Sequence, residues 1–196
     1  MKHSQFDEEV HLWAILGEIG DGTKVCSDIG ARLEGSNVAR LIEERGYFGH
    51  LVDADEHSAN ALRRHFPQVE VVNTAATIEN INSLVPNDTW VLSIDIDSHD
   101  WWLWANLRAR PAVIIMETTP CKGIRVAEYG CTRKDKAGYG ASLGAMQALG
   151  AMKRYDYIGR TEVNAIFVRS DLKCQYRAQS PTDHQGLPTS FENNVL

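Results

Sequence analysis

Three aspartates, two serines and a histidine crowd into residues 93–100, Ser-Ile-Asp-Ile-Asp-Ser-His-Asp, directly before Trp101, Trp102 and Trp104. Side chains of this kind accept protons, orient hydroxyl groups or hold hard cations. If 89–97 is a strand, alternation points Asp95 and Asp97 to one side and Ile96 to the other. Two carboxylates placed so close repel each other unless a cation, a proton or hydrogen-bond donors intervene. Glu117 closes the next apolar run and would stand beside them if the two runs pair. Asp95, Asp97 and Glu117 then form a hard oxygen set suited to Mg²⁺, which would lower the pKa of a bound hydroxyl. His99 is the natural proton acceptor, since histidine as a residue type has an intrinsic pKa near neutrality. The competing reading is structural: Asp97 or Ser98 caps a helix that begins near Asp100, and an acid in the first turn favours the helix dipole.

The tryptophans invite an aromatic-cage reading, but on a helix Trp101, Trp102 and Trp104 diverge, so at least one belongs to the core. Cys26, Cys121, Cys131 and Cys174 lie far apart with no Cys-x-x-Cys pair, unlike a zinc ribbon or disulfide framework. They are expected as reduced thiols.

The elements that must position these residues alternate regularly. Apolar strands are expected at 24–30, 49–55, 69–75, 89–97 and 112–118, with helices at 35–49, 56–66, 77–86 and 100–110 between them. Short, nearly all-apolar strands separated by helices predict a parallel sheet covered on both faces. Ser36 or Asn37 stands near one helix start and Gly46 past its end. Residues 142–154 carry Leu143, Met146, Leu149 and Met152 at three-residue steps and are expected as a helix with a core-facing side. Two further strands, at 155–159 and 164–171, are close enough to pair as an antiparallel hairpin. The fold class is therefore α/β, a doubly wound, mostly parallel seven-stranded sheet ending in that hairpin. One α/β domain is expected over 1–171, with a polar tail at 172–196. Within the domain, 118–141 is rich in glycine, proline and charge and reads as a lid-like loop. Its Lys122, Arg125, Arg133, Lys134 and Lys136 would set positive charge above an acidic floor, suited to an anionic or phosphorylated substrate; the competing reading is simply a solvated loop.

Ligands of open α/β sheets bind beyond the carboxyl ends of the strands, where strand order reverses. The ends here read Asp28-Ile29-Gly30-Ala31, Val52-Asp53-Ala54-Asp55, Asn73-Thr74-Ala75-Ala76 and Asp95-Ile96-Asp97. Gly30 permits close backbone approach, and an acid about 20 residues further on suits ribose hydroxyls. In this order, with the terminal hairpin, the chain resembles an S-adenosylmethionine-dependent methyltransferase of the Rossmann-like class over residues 24–170. The stretch Ile94–Trp104 is similar to the Ile-Asp-x-Glu-Gly-x-Glu segment of FkbM-type methyltransferases, and Asp97–Asp100 to the Asp-Ser-x-His segment of cephalosporin-hydroxylase-like proteins. The resemblance implies a donor site built from Asp28, Gly30, Ala31, Asp53, Ala54, Asn73, Ala75 and Asp95. In it Gly30 and Ala31 cradle the methionine part, Asp53 holds the ribose, Ala75 or Ala76 lines the adenine and Asp95 faces the transferred methyl. Two positions depart from the family: Arg32 stands where a second glycine is usual, and Asn73 where an acid meets the adenine amino group.

Gly-x-Gly-x-x-Gly, the dinucleotide fingerprint, is absent, and so is the Asn- or Asp-Pro-Pro-aromatic segment of amino-methylating nucleic-acid enzymes. The chain of 196 residues is 43% hydrophobic with a formal charge of −6 and scattered cations, which argues against a nucleic-acid backbone as partner. No run of roughly 18 apolar residues or signal-peptide core occurs, so a soluble cytoplasmic protein is expected, away from membranes, with self-association left open. The expected activity is O-methylation of a small hydroxylated substrate, sugar-like or anionic, with Asp95, Asp97 and His99 catalytic. The alternatives are a non-catalytic module that binds a nucleotide-like ligand or a partner, and an enzyme that uses the adenosyl donor otherwise.

Overall fold

A computed structural model describes residues 8–131 and 139–178. The elements are α1 (Glu8–Ile19), β1 (Val25–Ile29), α2 (Ala39–Arg45), β2 (Phe48–Asp53), α3 (Glu56–His65), β3 (Glu70–Asn73), α4 (Ile81–Leu84), β4 (Val91–Ile94), α5 (Asp100–Asn106), β5 (Val113–Glu117), α6 (Leu143–Met152), β6 (Tyr155–Arg160) and β7 (Asn164–Arg169). The seven strands form one sheet in the order β3-β2-β1-β4-β5-β7-β6. β1 to β5 pair in parallel, and β7 enters antiparallel between β5 and β6. The expected sheet, with its terminal hairpin, is therefore present.

Alternation along β5 shows why both faces are covered. Val113 and Ile115 join the core beneath α1, α2 and α3, while Ile114 and Met116 join the core beneath α4, α5 and α6. Each face thus buries its own apolar layer.

Several local expectations change. Helix α1 was not anticipated from the sequence, although Leu12, Ile15 and Leu16, one helical face, are all buried. Helix α2 starts at Ala39, and its N-cap residue, Val38, has no side-chain cap. Ser36 instead donates to the Asp28 carboxylate at 2.8 Å, and Asn37 donates to Ser93 Oγ at 3.0 Å, so both pin the loop to strand ends. Gly46 does end α2 in the left-handed conformation. In α6, Met146 and Leu149 are buried but Met152 is 79% exposed. Three-residue steps turn backwards by about 60° each against a 3.6-residue helix, so the third step reaches the opposite face. Ser142 caps α6 by accepting from Ala145 N.

The segment from 172 onward is not wholly separate. Glu18 on α1 accepts from the backbone N–H groups of Gln175 and Tyr176, and Ala178 N donates to Ile158 O. The remaining tail residues, 179–196, fall outside the described part, as do Arg133, Lys134 and Lys136 of the expected lid. Its described flanks are clipped together: Val126 bridges Ala141, and Thr119 N donates to Ala141 O. All four cysteines are free thiols. No helix of the described residues is long and apolar enough to cross a membrane.

Candidate active site

Strand order reverses between β1 and β4, and the carboxyl ends of β1, β2, β4 and β5 open there onto a cleft. Its larger compartment, about 330 Å³, is walled by Gly30, Arg32, Asp53, Asp95, Asp97 and Glu117, among others. A smaller one of about 150 Å³ adjoins it and is walled by Val52, Thr74, Ala75, Ala76, Ile96 and His99, among others. Gly30, Asp53, Ala54 and Ile96 belong to both.

The floor forms where β1 stops. Gly30 N and Ala31 N both donate to Val52 O on β2, at 2.8 and 2.9 Å. Gly30 has φ +92, and a Cβ on it would collide with the Asp95 carbonyl. Glycine is required twice over, by its conformation and by the close passage of β4.

Past Ile94 the chain leaves the sheet, contrary to a strand reaching residue 97. The reason is Asp100. Its carboxylate is buried at the start of α5 and accepts from Ile96 N at 2.8 Å and Ser98 N at 3.1 Å. Those amides turn back into a local loop instead of extending the ladder, and Asp97 adopts φ +58. Aspartate tolerates this conformation better than most residues. Asp100 therefore shapes the loop before α5, while neither Asp97 nor Ser98 caps that helix, whose N-cap residue is His99. Burial pushes the Asp100 carboxyl up to about 6, opposed by the amide bonds it accepts.

The loop still delivers Asp95 and Asp97 to the cleft. Because Ile94 is in register with Met116, Glu117 arrives beside them. Asp95, Asp97 and Glu117 each offer one oxygen, all within 4.8 Å of one another, and all three are half-buried. Ligands of one hard cation at 2.0–2.6 Å lie at most about 4–5 Å apart, so the spacing and donor chemistry fit Mg²⁺ or Ca²⁺.

His99 is placed elsewhere. It lines the smaller compartment, with Nε2 3.1 Å from Ala76 O and Nδ1 2.9 Å from Ser98 Oγ. The Ala76 carbonyl can only accept, so Nε2 donates to it, and Ser98 Oγ also donates to Ile96 O at 3.2 Å. The Tyr129 ring packs edge-on at 4.8 Å. Asp53, at the end of β2, accepts from Asp55 N at 2.6 Å. Burial is the main cause raising its proton affinity, and the Asp55 amide and the Arg32 charge work against it.

Three expected donor-site residues lie outside the walls. Asp28 is buried beneath the floor, held by Ser36 and pushed up to about 7, chiefly by burial. Ala31 packs into the core below α2. Asn73 turns back, its Nδ2 donating to Asp53 O at 2.9 Å. Gly30, Asp53, Ala54, Ala75 and Asp95 do line the cleft. Sequence reasoning did not anticipate Glu34, Gly35, Asp55 and Val163 as wall residues, or the shaping role of Asp100. Gly35, shortly after Gly30, and Asp55, at the end of the second expected strand, carried a signal. Of the tryptophans, Trp104 is fully buried, while the indole N–H groups of Trp101 and Trp102 donate to Ala145 O and Ala127 O.

No family model and no curated protein matches the chain. Solved structures do. The N-terminal domain of EvdMO1 with SAH bound aligns with a TM-score of 0.54 at 14% identity, over 85% of this chain and 82% of that one. The Burkholderia thailandensis 1,6-didemethyltoxoflavin-N1-methyltransferase, with 1,6-didemethyltoxoflavin and S-adenosylhomocysteine bound, aligns at 0.54 and 12% identity, over 84% and 78%. LaPhzM aligns at 0.47 and 16% identity over 83% of this chain, which spans 55% of LaPhzM. At such identities the similarity speaks for architecture alone. The chain carries the Rossmann-like methyltransferase fold.

Proposed function

We propose that this protein is an S-adenosylmethionine-dependent methyltransferase acting on a hydroxyl group of a small molecule. The observation that carries the reading is the convergence, in one cleft at the reversal of strand order, of the Gly30 turn, Asp53 and the Asp95–Asp97–Glu117 cluster. Within the class, the Asp95–Asp100 stretch supports a place near the FkbM-type enzymes. The cytoplasm remains the expected location.

The cleft's two compartments match the two halves of the donor. Thr74, Ala75, Ala76 and Ile96 offer small and apolar walls for the adenine, with His99 at their edge. Asp53 stands between the compartments and would accept from ribose hydroxyls, and Gly30 lets the methionine part pass close to the backbone. The donor supplies an electrophilic methyl on a sulfonium. Asp95 and Asp97 would hold the acceptor hydroxyl in line with it, and positioning at about 3 Å supplies much of the acceleration. As the oxygen–carbon bond forms and the carbon–sulfur bond breaks, the electron pair stays on sulfur and the hydroxyl proton passes to a carboxylate, for which Asp97 is the assigned group. If a divalent ion is bound, Asp95, Asp97 and Glu117 hold it, and it supplies a lowered hydroxyl pKa. His99, engaged with Ala76 and Ser98, is assigned to the donor end, and its earlier role as base passes to the carboxylates.

Calorimetric titration with S-adenosylmethionine and S-adenosylhomocysteine, with and without Mg²⁺, tests the reading. Micromolar binding is expected, weakened about 10–100-fold in Asp53→Ala through loss of charge-assisted hydrogen bonds. Asp97→Ala should keep donor affinity while abolishing methyl transfer to a panel of hydroxylated acceptors. Absence of donor binding by the folded protein under both conditions would overturn the proposal.

A further inference from the structure

At the opposite end of the sheet the chemistry is inverted. An open pocket of about 440 Å³ lies where β5 and β6 begin and β7 ends, walled by Arg110, Arg154, Arg169, Ser170 and Asp171. It is separated from the cleft by the length of β5, five residues at about 3.3 Å each. In a chain of net charge −6, three guanidinium groups converge there on a single lining carboxylate.

Two of the three are fixed from behind. Arg169 donates through Nη1 to Arg110 O and through Nε to the Asp171 carboxylate, both at 2.7 Å, and lies 6.0 Å from the Trp90 ring centre. Arg110 donates to Lys153 O at 3.2 Å and lies over the Tyr155 ring at 5.7 Å. Tyr155 is itself anchored to Pro111 O. A guanidinium has five N–H donors, so most of those on these two are left for another partner. The third, Arg154, forms no side-chain hydrogen bond or ion pair among the described residues. It follows the end of α6 with φ +62, where glycine is favoured, and this turn directs the chain into β6. Its carbonyl accepts from Ser170 N, which ties the two rims of the pocket together. Ser170 Oγ donates to Asp156 at 2.7 Å. Lys153, just behind the rim, has its proton affinity lowered first by burial and then by the charge of Arg110. Like charges are thus crowded at this edge, and a multiply charged anion would relieve them.

We propose that the Arg110–Arg154–Arg169 pocket binds a phosphate-bearing small molecule, at a site separate from the cleft, with Arg154 as the ligand-facing cation. Planar, prepositioned guanidinium groups match phosphate oxygens in pairs. A nucleic acid fits less well: the cations form a pocket and not a stripe, and the Trp90 and Tyr155 rings are covered by arginines, leaving no stacking platform.

The test is calorimetric titration of the full chain with inorganic pyrophosphate. Saturable binding in the submillimolar range is expected, about 10-fold weaker in Arg154→Ala and at least 100-fold weaker in Arg154→Glu. Thermal melting of both variants should match the parent, since the exposed Arg154 side chain makes no hydrogen bond or ion pair among the described residues. The same binding should persist in Asp53→Ala and in the presence of saturating S-adenosylhomocysteine, so the result stands apart from the donor reading. Unchanged pyrophosphate affinity in Arg154→Glu, or no saturable binding at millimolar concentration, would overturn the proposal. So would tighter binding of a single-stranded oligonucleotide than of pyrophosphate at equal phosphate concentration, which would make this edge a nucleic-acid surface.

Discussion

Gly30 and Arg154 occupy opposite ends of the same sheet and both adopt a left-handed backbone, with φ +92 and +62. At Gly30 the conformation is locked by packing, because the Asp95 carbonyl fills the space of a side chain. The Arg154 side chain is exposed, and at φ +62 a glycine would meet the local geometry better. The cleft end is overdetermined: a glycine contact, two buried carboxylates and a turned-back loop hold the functional acids in place. At the arginine end Arg110 and the half-buried Arg169 lean on carbonyls and rings, and Arg154 stands exposed. Where a residue satisfies a tertiary constraint, its replacement acts on stability; where it satisfies only chemistry, its replacement acts on binding.

Substitution at Gly30 should have the largest effect. Gly30→Ala is expected to cost about 3–5 kcal/mol, since both the conformation and the Asp95 contact must yield, as read by urea denaturation. A loss below about 1 kcal/mol would show that the two strand ends are free to move apart, and the contrast would fail.

Asp28 sharpens the comparison through pH. Its folded pKa of about 7 lies above the unfolded value near 3.9. Between those values the native state binds the extra proton, so stability falls as pH rises through this window. The penalty is absent below pH 4 and complete above pH 7. Relative to Asp28→Asn, the parent should lose on the order of a few kcal/mol between pH 4 and pH 8, measured as the difference between paired denaturation curves. A constant difference across that range would mean that Asp28 is charged and compensated in the folded state. Asp100, pushed up to about 6, acts in the same direction and is common to both proteins.

The smallest effect belongs to the arginine end. Arg154→Gly should leave stability unchanged or raise it by up to about 1 kcal/mol, by the same denaturation measurement, while weakening pyrophosphate binding as Arg154→Ala does. A loss of more than about 1 kcal/mol would give Arg154 a structural role and erase the difference between the two ends.

Much of the frame was legible because it is written in local pattern. Apolar runs such as Val113–Met116, glycine after β1 and proline after α3 and α4 announce strands and their ends within a few residues. Asp53 and Glu117 could be placed at strand ends for the same reason. Helix α1 escaped notice because its buried face, Leu12, Ile15 and Leu16, lies in a segment with other apolar and charged residues on the remaining faces. The expected alternation of Asp95 and Asp97 failed for a different reason. The carboxylate that captures Ile96 N and Ser98 N comes from Asp100, and nothing in residue type distinguishes such a carboxylate from a helix-capping one.

The sequence by itself determined the class of fold, the order of its strands along the chain and the acidic character of their carboxyl ends, since parallel strands joined by helices must all open in one direction. Only the tertiary structure decided which acids meet. Asp28 goes under the floor because β1 is central and its loop is pinned by Ser36, whereas Asp95, Asp97 and Glu117 reach the cleft because β4 and β5 are neighbours in register. His99 is drawn to Ala76 by a hydrogen bond across 23 residues. The arginine pocket gathers positions 110, 154 and 169, too distant in the chain for any local pattern to bring together. Burial, register and the partners of backbone amides are properties of the assembled sheet, and they separate a carboxylate that binds from one that only supports.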